Sequence, residues 1–276
     1  MHPDFLLIGP LMIHSYGVMM ALGFVAGLGN WILLGRREGH SPQFCTDLMF
    51  WVIVSGIVGA RTAYVLENWT VYAADPMSVI RVDQGGLIFY GGFIAAAAAV
   101  VIFGRRNRIP PASLFDFVVT SVPLSHALGR IGCFLNGCCF GSCTQAAPHV
   151  QFPQNSIPWY SQIREGLIES NAAWSKPVHP VQLYEAAFNL LVYGLLVWLF
   201  RRKLRPGMVS GIYLVLYAIG RFSLEFMRGD RGERLAVQQL SIGQFVSLLV
   251  LAAGLVILAV LEWSRHKERS ACSRGR

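Results

Sequence analysis

The amino-acid sequence predicts an all-α polytopic membrane protein with about seven transmembrane helices and a small head outside the membrane. The 276 residues are 54% hydrophobic and only 14% charged, whereas soluble domains carry about 25% charged residues. Apolar runs close to the roughly 20 residues that cross a bilayer recur seven times. Basic residues form short clusters between these runs, which is typical of membrane-protein loops.

The predicted spans form one integral membrane domain, residues 1–276. They cover about residues 14–35, 46–68, 87–104, 113–135, 181–200, 208–227 and 242–263. Two polar stretches stand between spans. We expect residues 69–86, the connector, to lie along the membrane interface, and residues 140–180, rich in Pro, Ser and Asn, to form the head. The opening "MHPDFLLIGP" contains an acid and no basic region, so the first span is expected to remain as an anchor rather than to be cleaved as a signal peptide.

Basic clusters predict the orientation of the spans. Fourteen of the 23 Lys and Arg residues follow spans one, three, five and seven: Arg36, Arg37, Arg105, Arg106, Arg108, Arg201, Arg202, Lys203, Arg205, Arg265, Lys267, Arg269, Arg274 and Arg276. The positive-inside rule makes this side cytoplasmic, so the N-terminus and the head are expected outside. The net charge of +8 therefore reflects loop clusters, and no nucleic-acid partner is predicted.

Polar residues of the spans fall at one depth, in the half of the membrane nearer the head. Ionisable groups within spans are energetically costly and usually functional. The set comprises His14, Tyr16, Arg61, Glu67, Tyr90, Arg130, His179, Gln182, Tyr184, Glu185, Arg221, Glu225 and Arg228. Asp47 and Asp116 stand apart from it at helix starts, where the helix dipole favours a carboxylate.

The intramembrane arginines have two possible explanations. An internal ion-pair network could hold the helices together, with Glu67, Glu185 and Glu225 as the acids. Alternatively, the arginines form an anion site at the depth of phospholipid headgroups, because a guanidinium makes two parallel charge-assisted bonds to phosphate. We favour the anion site, with Arg130 and Arg221 as phosphate ligands.

Four cysteines lie in "GRIGCFLNGCCFGSC", residues 129–143. Only Cys139 and Cys143 approximate the paired spacing of structural zinc sites, so no metal is predicted. A disulfide to Cys143 within the head is a second possibility, since the outer face of the membrane is oxidising. The third is that the thiols are small buried apolar groups, Cys133 above all.

Several motifs in order resemble those of the bacterial prolipoprotein diacylglyceryl transferases. They are "IHSYGVMMALGF", "GARTAYV", "GGLIFYGG", "GRIGCFLNGCCFG", "HPVQLYEA" and "GRFSLEFMRGD". The resemblance implies a seven-span enzyme of the bacterial inner membrane, with a periplasmic head and its active site toward the periplasm. Its expected partners are membrane lipid, namely phosphatidylglycerol, and prolipoprotein signal peptides with a lipobox cysteine. It would move the diacylglyceryl group onto the cysteine thiol, forming a thioether and releasing glycerol phosphate, without a cofactor.

The resemblance also implies site residues. Positions that match the family pattern, and are expected to bind substrate, are Tyr16, Arg61, Arg130, Asn136, Gly141, Glu185, Arg221 and Glu225. Three positions depart from it: Tyr90 where relatives often have His, Cys133 where they have Asn, and Cys138 where they have Glu. The catalytic set is then Arg130, Arg221 and Tyr90, with Tyr90 relaying a proton or hydrogen-bonding the headgroup. The alternatives are a membrane transporter of an anion or lipid, and a non-catalytic homologue.

Overall fold

The computed structural model describes residues 4–8, 11–81, 85–229 and 240–274. Residues 82–84 of the connector and Arg276 of the last basic cluster lie outside the described residues. The chain divides into two compact units. The first comprises Met1–Gly27 with Val119–Arg276, and the second comprises Leu28–Val118. Each is considered by itself below.

Helices dominate the fold, and all seven predicted spans are confirmed within the described residues. Helices long and apolar enough to cross a membrane are Ser15–Glu38, Pro42–Glu67, Phe89–Arg106, Pro111–Asn136, Val181–Arg201, Met208–Glu225 and Ile242–Lys267. The individual helices are α1 (Ser15–Gly35), α2 (Pro42–Glu67), α3 (Trp69–Ala74), α4 (Phe89–Arg106), α5 (Pro111–Val119), α6 (Val122–Asn136), α7 (Ile157–Arg164), α8 (Val181–Arg201), α9 (Met208–Glu225) and α10 (Ile242–Arg274). A hairpin that we did not predict pairs β1 (Asp4–Ile8) with β2 (Leu11–His14) directly before α1.

In the second unit, α2 and α4 cross through facing glycines. A Cβ placed on Gly59 would lie 2.6 Å from the carbonyl oxygen of Gly91, and a Cβ on Gly91 would lie 2.6 Å from that of Gly59. A Cβ placed on Gly92 would lie 2.8 Å from the carbonyl oxygen of Gly56. Small residues let helix backbones approach closely in lipid, where packing drives association. The glycines of "GGLIFYGG" within α4 therefore serve this helix contact.

In the first unit, α8 and α9 share an apolar core of Val192, Leu196, Val209 and Tyr213. Helix α9 packs on α10, where a Cβ on Gly211 would come within 2.8 Å of the Leu258 side chain. The fourth span is two helices, α5 and α6, because the chain leaves the helical path at residues 120–121. Just after this break, hydroxyl groups tie α6 to α1. Ser121 Oγ donates to the carbonyl oxygen of Gly27 at 2.9 Å, and Ser125 Oγ donates to that of Gly23 at 2.8 Å.

The head contains helix α7 and short bridged segments around a small core of its own. Phe140, Phe152 and Val178 are almost fully buried, and Phe134 of α6 packs against them. Side chains hold the surrounding loops. Gln162 Oε1 accepts from the backbone N–H of Lys176 at 2.7 Å, and Ser175 Oγ accepts from that of Phe152 at 2.9 Å. The head is thus a folded insertion anchored on the end of α6.

Candidate active site

Two arginine–glutamate pairs lie at the head end of the first unit. Arg130 of α6 places Nη2 3.0 Å from Oε1 of Glu185, which starts α8. Arg221 near the end of α9 is paired with Glu225 one turn later on the same helix. Both glutamates are about 5% exposed. Arg221 and Glu185 line the same cavity, so each arginine predicted to bind phosphate has a glutamate partner in this part of the unit.

His126 completes this group and was missed by the sequence analysis. It precedes Arg130 by one turn of α6, and its Nε2 lies 3.2 Å from Glu185 Oε1 and 3.2 Å from Arg130 Nε. One ring nitrogen cannot satisfy both neighbours at once. An unprotonated Nε2 accepts a hydrogen bond from Arg130, whereas a protonated Nε2 donates one to Glu185. The same atom therefore has a hydrogen-bond partner whether or not it carries a proton.

Glu225 is held by the first turn of α10. Ser241 Oγ donates to Glu225 Oε1 at 2.8 Å. Ser241 also caps α10: its Oγ accepts from the backbone N–H of Gln244 at 3.1 Å, while Gln244 Oε1 accepts from the backbone N–H of Ser241 at 3.1 Å. This reciprocal arrangement is a capping box. It fixes the position of Glu225, and through Glu225 that of Arg221.

A small cavity opens beside these side chains. It is lined by His126, Glu185, Phe188, Asn189, Tyr217, Gly220, Arg221 and Leu224. The cavity brings an imidazole, a carboxylate and a guanidinium to one space with aromatic walls. Small-molecule sites combine apolar walls with a few convergent polar groups in this way.

Three further residues expected to bind substrate lie near this group in the first unit. The Tyr16 ring packs against Gly132, and a Cβ placed on Gly132 would lie 3.3 Å from a ring carbon of Tyr16. Asn136 ends α6 and hydrogen-bonds the Cys138 thiol. Gly141 donates its N–H to the carbonyl of His179 at 3.0 Å, and a side chain at Gly141 would collide with that residue. The backbone contact of Gly141 therefore depends on its lack of a side chain.

Arg61 has a different environment, within the second unit. Its guanidinium donates to four backbone carbonyls: Nε to Val79 at 2.7 Å, Nη1 to Gly85 at 2.9 Å and Gly86 at 3.1 Å, and Nη2 to Ser78 at 2.7 Å. The side chain is 7% exposed. Four of its five N–H donors thus bind the connector to α2. This role could not be predicted from a sequence motif.

Comparison with known proteins gives the family. The model of the prolipoprotein diacylglyceryl transferase family matches residues 3–260. The chain belongs to that family. It is 36% identical over 265 residues to a phosphatidylglycerol–prolipoprotein diacylglyceryl transferase of Pseudomonas fluorescens, covering 93% of this chain and 91% of the relative. It is 34% identical over 260 residues to the protein of the same name in Synechococcus elongatus, covering 92% and 85%.

Tyr90, one of the three positions at which the resemblance was incomplete, lies in the first turn of α4 in the second unit. Its side chain is 53% exposed, and its ring meets that of Phe89 edge-on at 5.7 Å between centroids. The phenol is thus accessible at the end of a span, as a residue that contacts a bound molecule must be.

The other two departures, Cys133 and Cys138, form a thiol group with Cys139. The three sulfur atoms lie within 4.8 Å of one another. Hydrogen bonds from Cys133 and Cys138, with Arg130 nearby, hold the pKa of the Cys139 thiol far below its usual value. Cys143 lies apart from the group, where its sulfur accepts from Gln162 Nε2 at 3.5 Å. All four thiols are free in the described residues, so the structure does not form the disulfide to Cys143 that was the second of the three possibilities.

Proposed function

We propose that this protein transfers the diacylglyceryl group of phosphatidylglycerol to the lipobox cysteine thiol of prolipoproteins. Family membership over nearly the whole chain supports this function, as do the names of its relatives. The structural observation that carries it is the pairing of Arg130 with Glu185, which lines a cavity together with Arg221. Guanidinium groups from two helices on this side of the unit suit a lipid phosphate.

The leaving group defines what the arginines do. The thiolate sulfur forms a bond to the glycerol carbon as the carbon–oxygen bond to phosphate breaks, and glycerol phosphate leaves with an added negative charge. A guanidinium has five N–H donors, more than Arg130 uses on Glu185, His126 and Cys139. The remaining donors can bind the phosphate, and Arg221 binds it from α9. Pre-positioned donors of this kind stabilise charge that develops in the transition state.

The incoming thiol must lose its proton, because the thiolate is the nucleophile. We assign this proton to His126 Nε2, which lines the cavity and has Glu185 at 3.2 Å to stabilise the imidazolium. The resemblance implies a histidine at the position of Tyr90, and His126 can supply the imidazole that this chain lacks there. Tyr90 then acts on the headgroup by hydrogen bonding, and Arg61 positions the connector.

The finer details of membrane placement are part of the proposal. The N-terminus is outside, the C-terminus is cytoplasmic, and the active site faces the periplasm of a bacterial inner membrane, because the basic clusters follow alternate spans. Reporter fusions after Arg108 and after Lys176 are expected to give cytoplasmic and periplasmic signals respectively. The same signal from both fusions would refute this topology.

One assay tests the function directly. The purified protein is mixed with phosphatidylglycerol vesicles and a peptide carrying a lipobox cysteine, and the peptide mass and the released glycerol phosphate are measured. A peptide with serine at that cysteine is the matched control. Transfer to the cysteine peptide alone is expected. Flux of lipid or anion across the vesicle membrane without transfer would instead identify a transporter, and neither activity would identify a non-catalytic homologue.

A further inference from the structure

The end of α6 folds three thiols onto one point. Gly137 terminates the helix in the left-handed conformation, with φ 82°, and its N–H and that of Cys138 both donate to the carbonyl of Cys133. Cys139 follows with φ 59°, a conformation that few residues other than glycine adopt. Two left-handed residues in three reverse the chain, so the thiols of Cys138 and Cys139 return to the thiol of Cys133.

We propose that Cys133, Cys138 and Cys139 bind one thiophilic metal ion through three thiolates. A zinc–sulfur bond is about 2.3 Å long, which sets the sulfurs of a three-thiolate site about 4 Å apart. The sulfurs here lie within 4.8 Å of one another, so small rotations of the side chains close the site. Binding is an exchange without redox change: the sulfurs that still carry protons release them to solvent, and three metal–sulfur bonds form.

The ligand set selects the class of ion. Within the described residues the group contains sulfur ligands only, with no histidine or carboxylate among them. Thiolate sites favour soft ions such as Zn(II), Cd(II) and Cu(I) over Mg(II) or Ca(II), which prefer oxygen ligands. Cys133 is buried, whereas Cys138 and Cys139 are only half-buried, so an ion can enter from their side.

The surroundings suit a negatively charged metal centre. Three thiolates around a divalent ion leave one negative charge, and Arg130 hydrogen-bonds the Cys139 sulfur while Arg228 lies near it. The loop is also fixed from behind, because Gln182 Nε2 donates to the carbonyl oxygen of Cys138 at 2.8 Å. Such outer contacts orient the ligands of a metal site and strengthen binding.

The spacing of the cysteines explains why no metal was predicted from the sequence. Structural zinc sites usually show two cysteines separated by two to four residues, and Cys139 with Cys143 fits that pattern. Only the reversal at Gly137 groups the helical Cys133 with the adjacent pair and leaves Cys143 outside. Cys143 is therefore a matched control, a free thiol in the same loop that is not a ligand.

The test is metal retention by the full-length protein. Protein purified under reducing, anaerobic conditions is loaded separately with Zn(II), Cd(II) or Cu(I), freed of unbound ion, and analysed for metal per chain. About one ion per chain is expected for at least one of the three, together with thiolate-to-metal absorption in the Cd(II) form. Cys138→Ser is expected to weaken binding about 100-fold or more, and Cys143→Ser to leave it unchanged.

Thiol labelling followed by mass spectrometry tests the unmutated protein, so its result does not depend on whether a variant folds. In the loaded protein a maleimide is expected to modify Cys143 but not Cys133, Cys138 or Cys139, and removing the ion is expected to restore labelling of Cys138 and Cys139. The proposal is overturned if the protein retains each of the three ions no better than a variant that lacks the three cysteines. A loss of binding in Cys143→Ser as large as that in Cys138→Ser overturns it as well.

Discussion

Removing Arg130 separates the two explanations of the buried arginines, ion pairing and phosphate binding. Arg130→Ala leaves Glu185 about 4% exposed without its guanidinium partner. Breaking a buried ion pair by removing one partner costs about 3–5 kcal/mol of stability. Loss of an ionised phosphate contact adds a separate effect on the reaction of roughly 3 kcal/mol, which is about a hundredfold in rate. We expect both a lower unfolding temperature and a turnover near one hundredth of the original.

A double-mutant cycle then assigns each effect. Glu185→Gln removes the buried charge, so Arg130→Ala combined with Glu185→Gln is expected to recover most of the lost stability. If Arg130 binds the leaving phosphate, turnover of the double variant stays at least as low as that of Arg130→Ala. Thermal unfolding in detergent and transfer to the lipobox peptide measure the two quantities on the same samples. Recovery of turnover together with stability would refute the phosphate role and make Arg130 a purely structural residue.

Four further variants test individual assignments. His126→Gln keeps a polar side chain beside Glu185 but removes the proton acceptor, so turnover is expected to fall about a hundredfold or more with little change in unfolding temperature. Tyr90→Phe is expected to cost about tenfold through one lost hydrogen bond to the headgroup, and an unchanged rate would remove Tyr90 from the reaction. Arg61→Lys cannot reach four carbonyls, so we expect a loss of about 3 kcal/mol in stability, measured by thermal unfolding. Cys143→Ser is expected to retain full turnover, and a large loss would contradict the absence of a catalytic role for this thiol.

The spans could be predicted because they depend on local properties of the sequence. Run length and composition alone determine whether a segment crosses the bilayer, and all seven spans lie where the apolar runs are. The proximity of Arg221 and Glu225 could also be predicted, since residues four apart share a helix face. The hairpin of Asp4–Ile8 with Leu11–His14 was not predicted, because its short strands carry no clear alternation of polar and apolar residues.

The missed contacts depend on the tertiary fold. His126 and Glu185 lie on different helices, and only the packing of α6 on α8 brings them together, although the one-turn spacing from Arg130 was a signal in the sequence. The ligands of Arg61 are backbone carbonyls, which every residue carries and which therefore leave no trace in a sequence. Arg61 was expected to bind substrate, and its contacts with the connector are what the structure adds.

The charges of the site connect ion pairing with catalysis. The described cluster contains three arginines and two glutamates: Arg130, Arg221, Arg228, Glu185 and Glu225. Their formal charges sum to +1, and the Cys139 thiolate beside Arg130 and Arg228 offsets this surplus. The phosphodiester of phosphatidylglycerol brings one negative charge. In the proposed reaction the leaving phosphate gains a second negative charge while His126 takes the thiol proton and becomes positive. The net charge of the site therefore stays the same from bound lipid to product, which limits the cost of moving charge in a low-dielectric environment. The glutamates are part of this balance, because without them the same groups would carry two further positive charges.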